Sequence, residues 1–137
     1  MKKKILIVSA TYYPDIQNNL LNGALNHLQK YYNISFINKQ VVNTEVPGVF
    51  EIPVTIASRI KNYDGFLALG CVIKGQTPHF DFISKATTDA IMKLSIDYKK
   101  PIGNVIITCL NKKQAIVRSK TKGQEAANAV GVVLEKL

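Results

Sequence analysis

Short, largely apolar runs that alternate with helix-periodic segments predict an α/β protein built on a four-stranded parallel sheet. Three observations carry this reading. The runs ILIVSA (Ile5–Ala10) and GFLALGCVI (Gly65–Ile73) have the apolar character of buried strands, and IGNVIITC (Ile102–Cys109) supplies a further strand closed by Cys109. Between the first two, Ile16, Leu20, Leu21, Ala24, Leu25 and Leu28 recur at helical spacing. Parallel strands also need crossover connections, which are right-handed and place helices on the two faces of the sheet.

The elements follow in order. After the strand Ile5–Ala10 and the first helix, Ile34 to Val42 resumes a strand pattern, and Val46-Pro47-Gly48 breaks it. Ile52 to Ile60 reads as a helix with Pro53 in its first turn, where the missing N–H costs no hydrogen bond. Gly65–Ile73 is the third strand, and Phe82, Ile83, Ala86, Ala90 and Leu94 stripe the next helix. Ile102–Cys109 is the fourth strand, followed by a short helical piece from Lys112 to Arg118 and a last helix from Gly123 to Leu137. The result is a flavodoxin-like, three-layer α/β/α sandwich.

The 137 residues, 47% of them hydrophobic, are one domain's worth of chain, residues 1–137, with enough apolar material for a core. No apolar run approaches the ~18 residues of a membrane span. The segment after Met1-Lys2-Lys3-Lys4 is too short for the core of a signal peptide, so a cytoplasmic protein is expected. Cys71 and Cys109 have no metal or redox spacing and read as reduced thiols. The net charge of +9 invites a nucleic-acid partner. The lysines, however, are scattered along the chain and form no basic helix face, which favours a solvated surface over RNA binding.

In this architecture ligands bind beyond the carboxyl ends of the strands. Four segments lie there: Thr11-Tyr12-Tyr13, Val46 to Glu51, Cys71 to His79 and Cys109 to Asn111. In the third, Gly75-Gln76-Thr77 leads into a helix whose free N–H groups suit an anion such as phosphate. His79, one of two histidines, follows in position to transfer protons. Asp81 reads as an ordinary acidic residue of a helix start. In VPGVFEIP (Val46–Pro53) a Pro-Gly turn presents Phe50 and Glu51, and Tyr12 offers a ring face for a planar ligand.

Taken together, VPGVFEIP, LGCVIKGQTPHFDF and QAIVRS…KG, in this order on this alternation, resemble the 6,7-dimethyl-8-ribityllumazine synthase family of riboflavin biosynthesis along nearly the whole chain. The resemblance implies a cofactor-free transferase. It would condense 5-amino-6-(D-ribitylamino)uracil with 3,4-dihydroxy-2-butanone 4-phosphate, releasing phosphate and water. Tyr12 would stack on the pyrimidine, and Val49, Phe50 and Glu51 would hold the ring and ribityl chain. Cys71, Val72 and Ile73 would line the ring pocket, and Gln76, Thr77 and Arg118 would bind phosphate. His79 matches the family's proton-transfer histidine. A riboflavin synthase of the same fold, or a non-catalytic flavin- or lumazine-binding paralogue, is the alternative.

The chain departs from the family pattern at several points. Tyr12 and Asn104 stand where many members have phenylalanine, Lys74 replaces a common arginine, and the segment between Arg118 and Lys122-Gly123 is shorter. The resemblance also implies pentamers with sites between subunits, Asn104 and Arg118 coming from the neighbour. No metal, nucleic-acid or membrane partner is expected.

Overall fold

The structure, a computed structural model, describes residues 2–75 and 78–137. The elements run β1 (Ile5–Ala10), α1 (Pro14–Tyr32), β2 (Val41–Val46), a 3-10 turn (Val49–Glu51), α2 (Ile52–Ser58), β3 (Gly65–Ile73), α3 (His79–Tyr98), β4 (Ile102–Cys109) and α4 (Lys112–Lys136). The four strands form one parallel sheet in the order β2-β1-β3-β4. In register, Ile5 faces Val41 on one side and Gly65 on the other, and Phe66 faces Ile102.

Alternation along each strand divides the core. Ile5 and Ile7, with Leu67, Leu69 and Val105, pack beneath α1 and α4. Leu6 and Val8, with Phe66, Ala68 and Ile106, pack beneath α2 and α3. Side chains of successive strand residues point to opposite faces, so an unbroken apolar run is what two covered faces require. The three-layer sandwich and parallel sheet expected from sequence are therefore present.

Helix ends follow local chemistry. Pro14 opens α1 with Asp15 in its first turn, and Asn33, in the left-handed region at φ 55, closes it by donating its N–H to the Leu28 carbonyl. Asn111 caps α4: its Oδ1 accepts the Gln114 N–H at 2.8 Å.

Two expectations are corrected. The strand expected from Ile34 begins only at Val41, because residues 36–39 form a turn in which Lys39 takes φ 59 and donates its N–H to the Phe36 carbonyl. Phe36 and Ile37, which suggested a strand, are exposed. The two helical pieces expected after β4 are one continuous helix. Gly123 does not break it; there α4 meets α1 so closely that an added Cβ would lie 2.1 Å from the Leu20 carbonyl oxygen.

The layer on the other face is looser. Thr87 and Ile91 are the buried residues of α3, while its Phe82, Met92 and Ile96 are exposed.

Candidate active site

At the carboxyl ends of the strands a groove of about 310 Å³ opens between the segments after β1, β2 and β3. Its position follows from the sheet: β1 and β3 are adjacent, and the chain leaves them toward opposite faces, which opens the crevice. Tyr12, Val49, Phe50, Cys71, Val72, Ile73 and His79 all line it, so seven of the twelve sequence-predicted residues converge.

Each wall has a local cause. Tyr12 and Tyr13 sit on the tight passage from β1 into α1, their rings edge to face at 4.9 Å. Tyr12 is 73% exposed and Phe50 57%, so both present ring surface that no core residue covers. Phe50 is carried by the 3-10 turn, and the turn is held by Glu51, whose Oε1 accepts the Gly48 N–H at 3.0 Å. Glu51 is thus on the groove's supporting loop and outside its lining. Gly70, at the back, allows close packing: a Cβ there would meet Val49 at 2.5 Å. His79 is the first residue of α3, on the helix turn that faces the groove.

Electrostatics separate the thiol from the chemistry. Burial, with Cys109 beside it, pushes the Cys71 thiol up to about 12, although Lys112 pulls the other way. Cys71 therefore contributes a neutral, largely buried wall. Native protein at pH 8 is expected to alkylate at Cys71 with iodoacetamide at least ~100-fold more slowly than denatured protein, as read by mass spectrometry. Labelling at the rate of a free thiol would contradict this.

The Tyr13 phenol is also raised, by burial first and then by Cys71 and Tyr12. Lys112 lies over the Tyr13 ring, 5.2 Å from its centroid, and pairs with Asp15 at 3.4 Å. Tyr13 and Ile83 line the groove although sequence reasoning did not select them. The usable signal for Tyr13 was its adjacency to Tyr12 at a helix start; Ile83 read simply as part of a core stripe.

Two predicted residues lie elsewhere in the chain. Asn104 is on β4, at an edge of the sheet, in a separate cleft with Lys122 and Glu125. Its Oδ1 accepts the Ile106 N–H at 3.0 Å. Arg118, on α4, donates from Nη1 to the Thr108 carbonyl at 3.0 Å on the same edge strand. Gln76 and Thr77 lie outside the described residues. Among the described residues, no helix is long and apolar enough to cross a membrane.

The sequence model of the family described as 6,7-dimethyl-8-ribityllumazine synthase matches residues 2–137. A protein of that name from Bartonella bacilliformis is 41% identical, the match covering 91% of this chain and 84% of the relative. One from Bartonella henselae is 42% identical over 93% of this chain and 84% of its own length. The 6,7-dimethyl-8-ribityllumazine synthase 1 of Rhodopseudomonas palustris is 39% identical over 96% and 83%.

Proposed function

This chain belongs to the 6,7-dimethyl-8-ribityllumazine synthase family, and on that premise we propose that the groove between the segments after β1, β2 and β3 is its active site. The protein is a transferase of riboflavin biosynthesis. It condenses 5-amino-6-(D-ribitylamino)uracil with 3,4-dihydroxy-2-butanone 4-phosphate to 6,7-dimethyl-8-ribityllumazine, releasing phosphate and water. The observation that carries the site assignment is the convergence of Tyr12, Phe50 and His79, from three separate segments, on one groove.

In this reading Tyr12 and Phe50 flank the pyrimidine, while the strand end Cys71–Ile73 forms the wall along its edge. Glu51 keeps the Gly48–Phe50 turn in place and is assigned to the ribityl hydroxyls. The amine attacks the ketone and water leaves as the imine forms. Phosphate then departs, the resulting enol tautomerises, and the second amine closes the ring with loss of water. Every step moves protons and none transfers electrons to an acceptor, so a positioned imidazole at His79 serves several of them. Holding the two reactants in register supplies much of the remaining acceleration.

Phosphate is assigned to Gln76, Thr77 and Arg118. Arg118 and Asn104 lie on the β4 side of the subunit, off the groove, which supports their delivery to a neighbour's site in a homopentamer. The exposed apolar side chains of α3, Phe82, Met92 and Ile96, with Val54 of α2, supply surface for such contacts. The free thiols of Cys71 and Cys109 suit a cytoplasmic enzyme.

The test mixes purified protein with both substrates and follows lumazine absorbance. His79→Ala is expected to lower kcat by about 10²-fold or more, with little change in KM, because its role is proton transfer. An unchanged kcat would remove His79 from the mechanism. A folded wild type that makes no lumazine would remove the groove assignment as well.

A further inference from the structure

The topology gathers lysines that the sequence scatters. In an all-parallel sheet every strand starts at the same end, and lysine precedes each strand here: Lys2, Lys3 and Lys4 before β1, Lys39 before β2, Lys61 before β3, and Lys99 and Lys100 before β4. They form a row across the end of the sheet opposite the groove. Three that precede neighbouring strands, Lys4, Lys39 and Lys61, line one open cavity of about 420 Å³ together with Val42, Asn62 and Tyr63.

The charge there is only partly compensated, by the Asp64 carboxylate. All three lysines are exposed, and the salt bridges among the described residues involve Lys85, Lys93, Lys112 and Lys122 instead. The neighbouring carboxylate, Asp64, accepts the backbone N–H of Lys4 at 2.8 Å. Helix carboxyl ends carry partial negative charge that last-turn lysines answer, and Lys30 and Lys136 occupy those places in α1 and α4. Lys4 and Lys39 belong to no helix, so that role does not account for them.

We propose that this cavity binds a chain of phosphoryl groups, whether a free oligophosphate or the backbone of a single-stranded nucleic acid. Three adjacent strands span roughly 10 Å, about the reach of two or three linked phosphoryl groups. Three unpaired cations call for a polyvalent anion, and lysine binds phosphate as a point charge without fixing one geometry. The Asn62 amide adds a donor. The site sits at the opposite pole from the groove and is independent of the condensation.

The assembled wild-type protein is titrated with inorganic tripolyphosphate by calorimetry, and with a labelled single-stranded oligouridylate by fluorescence anisotropy, at two salt concentrations. At least one probe is expected to bind, and the triple variant Lys4→Glu, Lys39→Glu, Lys61→Glu to weaken it at least tenfold. The charge-matched control Lys85→Glu, Lys113→Glu, Lys120→Glu should stay within about threefold, the screened effect of net charge alone. Tripolyphosphate binding alone identifies the free oligophosphate as the source; oligouridylate binding with a salt slope reduced in the Lys4 triple variant identifies the nucleic-acid backbone. Binding of neither probe, or equal weakening in both variants, would overturn the proposal. Lumazine formation in each variant verifies that the fold is intact.

Discussion

Replacing Gly123 with alanine is expected to destabilise the fold by about 3 kcal/mol, at the upper end of what overpacking costs. The added Cβ would meet the Leu20 carbonyl oxygen at 2.1 Å and the Leu20 Cα at 3.1 Å. These are backbone atoms, so no rotamer change relieves the clash and α1 must move away from α4. The opposing gain is the better helix propensity of alanine, ~1 kcal/mol. Gly23→Ala isolates that gain. On α1, its Cβ would lie 3.4 Å from the Gln124 nitrogen, an ordinary contact, and the variant is expected to gain up to ~1 kcal/mol. Urea denaturation of both variants reads the difference, with Gly123→Ala also melting roughly 10 °C lower. Shifts of the same sign in the two variants would refute the close helix crossing.

Arg118→Ala is the second large effect, expected to lower kcat/KM by about 10²-fold, as removal of a charge-stabilising donor does. Stability should change little, because the residue is exposed and its hydrogen bond to the Thr108 carbonyl is on the surface. The variant also tests the shared site. When His79→Ala and Arg118→Ala subunits are denatured, mixed and reassembled, about a quarter of randomly formed interfaces hold one intact copy of each residue, and activity should reappear in that proportion. Failure of mixing to restore activity, with both variants assembled, would place His79 and Arg118 in the same subunit's site or in none.

Legibility in the sequence varied with the range of the physics involved. β1 and β3 were readable because two covered faces leave no room for polar alternation, and β4, although Asn104 and Thr108 are exposed on it, through its apolar run Val105–Ile107. β2 was misplaced: Phe36 and Ile37 are apolar yet exposed on a turn, and residue type alone does not report exposure. The join within α4 was missed because Gly123 reads locally as the start of a separate helix; its reason is Leu20, about a hundred residues away in sequence but in contact. The groove was largely legible because parallel topology sends the segments after each strand to one end. Arg118 and Asn104 were identified through family resemblance, and among the described residues they are not part of the groove lining.

β4 borders the sheet, and a bare border strand is a template onto which any extended chain can add. Asn104 takes the outward Ile106 N–H and Arg118 takes the outward Thr108 carbonyl, so two rungs of that template are already filled by the chain's own side chains. A newly made chain thereby offers fewer open rungs to the stacking of strand upon strand that ends in insoluble aggregates. Under the proposed phosphate role of Arg118, binding substrate would release the Thr108 carbonyl and reopen one rung, so protection against misassembly and readiness for substrate would share a single side chain.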